Sequence, residues 1–145
     1  MFKHILVPTD GSRLSEKAVK QAIRLARQLG ARMTAFHVMP KFHPSTYQME
    51  LLQMTHGEYD QTRLEHALQF LRYAERAAGA AGIDCKGKHV VSDHPYKEIV
   101  KAAQKYGCDL ILMASHGRRG IEGFLLGSET QKVLTHSHVP VLVYR

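Results

Sequence analysis

The sequence predicts an α/β fold: an open five-stranded parallel sheet with helices on both faces. Three observations lead there. Short β-branched or apolar runs alternate with segments whose apolar residues recur at helical spacing, in the order βαβ, an insertion, then αβαβαβ. The runs Ile5-Leu6-Val7, Leu110–Ala114 and Val141-Leu142-Val143 are continuously apolar, as strands covered on both sides are. The 145 residues, 44% apolar and 23% charged, are enough for one core and leave no room for a second. Residues 1–145 are therefore expected to form a single domain.

Taken in order, Lys3 to Val7 reads as a buried strand that stops at Pro8. Ser15 to Leu29 places Ala18, Ala22, Leu25, Ala26 and Leu29 on one face and ends at Gly30, which predicts an amphipathic helix with a glycine stop. Arg32 to Val38 is strand-like and ends before Pro40. Lys41 to Glu58 is irregular, with Pro44 near its start. Tyr59 to Ala78 carries Leu64, Ala67, Leu68, Leu71 and Ala74 at helical spacing and ends in Gly79. Lys86 to Val91 is a weaker strand. Pro95 suits the first turn of a helix, which continues through Ile99, Val100 and Ala103 to Gly107. Leu110 to Ala114 is the clearest buried strand. A helix is expected over about Ser128 to Thr135, and Val139 to Tyr144 is the last strand, with Pro140 tolerable at its start. The four methionines Met33, Met39, Met49 and Met54 read as adaptable packing under a mobile segment.

The net charge is +7 with histidines neutral. The basic residues are spread along the chain, the densest group being Arg118-Arg119, and none interleaves with aromatics, so nucleic acid is not an expected partner. No apolar run is long enough to span a membrane. The N-terminus meets Pro8 too early for a signal-peptide core. Cys85 and Cys108 stand far apart and outside any C-x-x-C, which predicts reduced thiols in a cytoplasmic protein.

In an open parallel sheet, ligands sit beyond the carboxyl ends of the strands where strand order reverses. Two such ends are unusual here. One is Pro8-Thr9-Asp10-Gly11-Ser12. The other runs from Ala114 through Gly117, Gly120 and Gly123 to Gly127-Ser128, just before a helix. Glycines let backbone N–H groups approach a phosphate, and the helix N-terminus adds positive potential. Gly117 is expected where the backbone turns sharply at positive φ. Ser128 either caps the helix or offers its hydroxyl to a phosphate. A glycine-rich turn with a capped helix and no ligand is the plainer alternative.

The spacing Ala114-x2-Gly117-x9-Gly127-Ser128 resembles the G-x2-G-x9-G-(S/T) signature of the universal stress protein family. The resemblance covers the whole chain, from Ile5–Ser12 through His37-Val38 and Asp109–Met113 to Val139–Val143. It implies a Rossmann-like fold and, in the family's nucleotide-binding branch, a loop that holds the phosphates and ribose of ATP. It also implies a first-loop Asp on ribose or phosphate-bound Mg²⁺, and a strand-two residue against adenine. The matching positions are Pro8, Thr9, Asp10, Val38, Met113, Ala114, Gly117, Gly127, Ser128, Glu129 and Thr130. One departure is Ala114 at the first motif glycine. The expected cofactor is ATP or AMP, with Mg²⁺ accompanying the triphosphate.

Arg118 and Arg119 are the obvious counter-charges for phosphates, and His116 lies inside the same loop. Gly82–His89 almost spells a P-loop, but His89 stands where Ser or Thr should, and the segment precedes a strand. The histidines form no H-E-x-x-H, and His136-x-His138 has no Cys or carboxylate at ligand spacing. The leading function is a stress-response sensor or regulator with at most slow ATP turnover or autophosphorylation. The alternative is a non-nucleotide member acting as a protein-interaction module. Val139 to Arg145 reads as a sheet edge with Val141, Val143 and Tyr144 free to pair, which, with the family's habit, predicts a homodimer.

Overall fold

The computed structural model describes residues 1–41, 43, 45, 48, 55–118 and 126–145. Along the chain run β1 (His4–Pro8), α1 (Arg13–Leu29), β2 (Arg32–Met39), α2 (His56–Ala80), β3 (Cys85–Val91), α3 (Pro95–Lys105), β4 (Leu110–Ala114), α4 (Ser128–His136) and β5 (Val141–Tyr144). The five strands form one parallel sheet in the order β3-β2-β1-β4-β5. The chain winds outward from β1 to β3, then returns to the other side of β1 to lay down β4 and β5. Strand order therefore reverses between β1 and β4, which pair through Ile5 with Leu110 and Leu6 with Ile111. Their carboxyl ends lie side by side.

Alternation along the strands makes two cores. Ile5, Val7, Met33, Ala35, Leu110, Leu112 and Ala114 face α1 and α2, which answer with Ala18, Val19, Ala22, Ile23, Ala26, Leu71, Ala74 and Ala78. Leu6, Phe36, Ile111 and Met113 face Ile99, Ala102 and Ala103 of α3 and Val133 of α4. Burying a Leu, Ile or Val side chain contributes about 1.5–3 kcal/mol. The alanines on α1 let the helix approach the sheet closely. β1 and β4 are buried throughout, as central parallel strands should be. β5 is an edge strand, as the C-terminal run predicted, but it is not buried on both sides as its continuous apolar character predicted, and Leu142 there is 43% exposed. Val141 and Tyr144 pack against the chain's own cores, so the open apolar group on the edge is Leu142 and not those two.

The largest boundary difference is in α2, which starts at His56 and not Tyr59. Thr55 caps it, accepting from the Glu58 N–H, while the Glu58 carboxylate accepts from the Thr55 N–H at 2.7 Å. That reciprocal pair is a capping box, readable in Thr55-x-x-Glu58. α1 likewise starts two residues early because Ser12 caps it. Met33 and Met39 are buried in the sheet, while Met49 and Met54 lie outside the described residues. At the amino end of the sheet, Asp109 accepts from the N–H groups of Lys3 and His4 at 2.8 and 3.0 Å, joining the start of β4 to that of β1. No helix among the described residues is long and apolar enough to cross a membrane.

Candidate functional site: a cradle at the switch point

The first loop is built by its own short polar side chains. Pro8 ends β1, and the Thr9 N–H still donates to the Phe36 carbonyl at 2.9 Å. The buried Thr9 hydroxyl lies 3.1 Å from the Ser15 hydroxyl, which donates to the Ser12 carbonyl. Ser12 is the α1 N-cap, its hydroxyl accepting from the Ser15 N–H. Asp10 Oδ1 accepts from the Ser12 N–H at 2.9 Å, closing an Asx-type turn. Gly11 completes the turn at φ +74°, and a Cβ there would run into the Phe70 ring from α2. Only glycine meets both demands.

The second loop is clamped at its base. The Ser115 N–H donates to the Tyr144 carbonyl, and the Ser115 carbonyl accepts from the Gly127 N–H, both at 2.7 Å. A Cβ on Gly127 would stand 3.2–3.3 Å from His116 and the Ser115 carbonyl, so the two ends of the loop meet backbone to backbone. Gly127 is the N-cap of α4, and the first helical bond runs from the Gln131 N–H to the Gly127 carbonyl. The N–H groups of Ser128, Glu129 and Thr130 precede that bond, as the first donors of any helix do. The buried Thr130 hydroxyl donates to the Ala114 carbonyl at 3.1 Å and fixes the helix start to the end of β4.

The two loops meet at Asp10. Its Oδ2 accepts from the Arg118 N–H at 2.9 Å, and Arg118 Nε donates to the Asp10 carbonyl at 3.0 Å. A Cβ on Gly117 would collide with the Asp10 carboxylate. Burial alone would raise the Asp10 pKa, but the polar groups of Ser12, the Arg118 N–H and the nearby Ser15 hydroxyl outweigh it. The carboxyl is held below its usual range and stays ionised. Arg118 lays its guanidinium 5.0 Å over the Phe70 ring, and Phe70 meets His37 edge-on at 5.4 Å. His37 Nδ1 donates to the Thr9 carbonyl at 2.7 Å. Burial pushes the His37 pKa down, more than Thr9 and Asp10 push it up.

These contacts bring Asp10, Gly117, Gly127, Thr130 and Ala114 together at the carboxyl ends of β1 and β4, with Ser128 and Glu129 in the first turn of α4 and Pro8, Thr9 and Met113 at the strand ends. Gly117, Arg118 and Ser128 are exposed to solvent. Val38 stands at the end of β2, half-buried against the second core. Two expectations are corrected. Gly117 does not lie at positive φ; glycine is needed there because Asp10 is too close for a Cβ. Ser128 is the first residue of α4, and Gly127 caps it. The Glu129 carboxylate is engaged by its neighbours, accepting from the Tyr96 N–H at the start of α3 at 2.9 Å with Lys132 Nζ 3.4 Å distant. His116 is half-buried, its Nδ1 3.2 Å from the Ser115 hydroxyl. Arg119 lies outside the described residues. Nothing in the sequence pattern marks Phe70 and His37, which pack beside the first loop, whereas Asp10-Gly11 is a turn dipeptide readable from the sequence.

The geometry defines an open α/β sheet with a glycine-bearing loop and a helix N-terminus facing a first-loop carboxylate at its switch point. The chain belongs to the universal stress protein family, whose pattern it matches over residues 1–145. It is 31% identical to universal stress protein MJ0531 of Methanocaldococcus jannaschii over 149 residues, covering 100% of this chain and 83% of that protein. Among solved structures, MJ0577 of the same organism superposes with a TM-score of 0.80 at 31% identity, over 99% of this chain and 95% of that one. A universal stress protein solved in complex with cAMP superposes with a TM-score of 0.73 at 25% identity, over 99% and 97%.

Proposed function

We propose that this protein is a cytosolic adenine-nucleotide-binding stress-response protein, working as a dimeric sensor or regulator, with residues 1–145 acting as one nucleotide-binding domain. The observation that carries the reading is the meeting of the two loops. The motif loop and the first-loop carboxylate are 108 residues apart in sequence, yet Arg118 and Asp10 touch at the strand-order reversal. The likeness to a family member solved with cAMP supports an adenine nucleotide as the ligand. In this reading the main-chain donors of Ser128, Glu129 and Thr130, with Gly117 and Gly127, receive the phosphates of ATP or AMP. Asp10 meets ribose or the Mg²⁺ that accompanies a triphosphate, and Pro8, Thr9, Val38, Met113 and Ala114 line the base and sugar end.

Turnover is at most slow. Asp10 is held ionised, its carboxylate accepting from the Ser12 and Arg118 N–H groups, and a carboxylate of lowered pKa is a weak general base. Burial pushes both cysteine thiols up to about 11, which suits inert thiols in a reducing compartment. The β5 edge with its exposed Leu142 is the surface for a second copy. The test is to denature the purified protein and identify the released nucleotide by chromatography and mass, with calorimetric titration of ATP and AMP alongside. Neither a released adenine nucleotide nor a titration signal would leave the interaction-module alternative standing. Light scattering on wild type and Leu142→Lys checks the dimer.

A further inference from the structure

The solvent face of α1 has no part in the nucleotide site. α1 exposes six positions: Arg13, Lys17, Lys20, Arg24, Arg27 and Gln28. Five carry positive charge, at steps of three or four residues, which on an α-helix is one straight row. The row is about 21 Å long at 1.5 Å per residue. Glu16, half-buried in the first turn, is the helix's one carboxylate. Among the described residues, no ion pair ties any of the five cations to an acid. The lysines of α3 are different: Lys101 is bridged by Glu98 at 3.3 Å, and Lys105 lies 5.6 Å over Tyr106.

A row of unneutralised cations is a docking surface for a linear polyanion, and we propose that α1 docks along the phosphate backbone of double-stranded DNA. One strand carries a phosphate about every 3.4 Å of helix axis, so the row laid along that axis passes roughly six of them. The other polyanionic or acidic surfaces fit less well. An interfacial helix needs apolar side chains to enter a bilayer, and Leu14, Leu25 and Leu29 of α1 pack inward against the core. Single strands are held by stacking on aromatics, and α1 has none. A protein interface needs an apolar centre, and the exposed face of α1 offers only charge and one amide. The row was invisible to a search for runs of Lys and Arg, because a helix gathers every third or fourth residue onto one face.

The test is fluorescence anisotropy with a labelled 20-bp duplex across a salt series. Wild type is expected to bind with Kd of about 10⁻⁶–10⁻⁴ M and a log–log salt slope of about −4 to −5 for five phosphate contacts. Lys17→Glu/Lys20→Glu/Arg24→Glu should weaken binding at least tenfold more than Lys97→Glu/Lys101→Glu/Lys105→Glu, which makes the same change in net charge on α3. The milder Lys17→Gln/Lys20→Gln/Arg24→Gln should flatten the slope by about 2–3, with circular dichroism as the folding control. Equal loss in the two Glu variants would overturn the proposal, as bulk charge would then explain binding. So would no duplex binding at 50 mM salt, or tighter binding to a single strand or to phosphatidylserine vesicles.

Discussion

Asp10 and Asp109 sit at opposite ends of the central strands and are near twins. Each carboxylate accepts two backbone N–H bonds, one per oxygen: from Ser12 and Arg118 at Asp10, from His4 and Lys3 at Asp109. At both, burial alone would raise the pKa, and the hydrogen bonds prevail and lower it. The difference is where the donors come from. Both donors at Asp109 belong to the start of β1, so the contact is a staple between two paired strands. At Asp10 one donor is the turn's own Ser12 and the other is Arg118, in the exposed motif loop. In the proposed reading, a ribose hydroxyl or a metal cation takes the place of the second donor without disturbing the sheet. The same local chemistry makes a fixed joint at one end and an exchangeable one at the other.

The strongest way to break the exchangeable joint is at Gly117. A side chain there meets the Asp10 carboxylate before any ligand arrives. Gly117→Val should reduce ATP and AMP affinity by more than about a hundredfold, some 2.8 kcal/mol. Circular dichroism should be unchanged, because Gly117 is exposed and outside both cores. Calorimetric titration decides it; a variant that binds as wild type does would remove the switch point from the function.

Exchanging the two aspartates sharpens the comparison. Asp10→Ala should weaken binding at least tenfold and reduce its dependence on Mg²⁺. Asp109→Ala should leave binding alone and lower stability by about 1 kcal/mol in urea unfolding, because the part-buried His4 N–H loses its acceptor while water can reach the exposed Lys3 N–H. The pH dependence follows from the sign of the shift. The folded pKa of Asp109 is below the unfolded value of 3.8, so its stabilisation is complete above that value and is lost as pH falls through the folded one. Asp109→Asn should therefore flatten the acid limb of the stability profile below about pH 4. An unaltered limb would show that the staple does not titrate with folding.

The two ends were unequally legible in the sequence. Strand and helix order could be read because burial on one or two faces leaves a period in the residues. The motif spacing could be read because each glycine answers a backbone contact, even though the reason at Gly117 is a neighbour's carboxylate and not its own φ. The contact of Arg118 with Asp10 could not be read, because hydrogen bonds between residues 108 apart leave no period. Nor could the turning of Glu129 toward Tyr96, which depends on how α3 packs beside α4. The α2 start was legible in Thr55 and Glu58, whose capping chemistry sets the boundary three residues ahead of the apolar spacing.

The smallest expected effect concerns the family glycine that this chain replaces with Ala114. Ala114 is the last residue of β4, in register with Tyr144, where extended backbone suits any residue. Its methyl is buried in the first core, on the face toward α1, and its contact with the neighbouring α4 is a main-chain one, the carbonyl that accepts from Thr130. Ala114→Gly removes a buried methyl and adds backbone freedom, costing about 1 kcal/mol of stability. It leaves the Thr130 bond and the approach of Gly117 to Asp10 in place. ATP and AMP affinity should change by less than about tenfold, or 1.4 kcal/mol. Titrating wild type and Ala114→Gly under one set of conditions settles the point. If wild type binds neither nucleotide and the glycine variant binds both, that methyl closes the site, and the chain works through its surfaces and not its switch point.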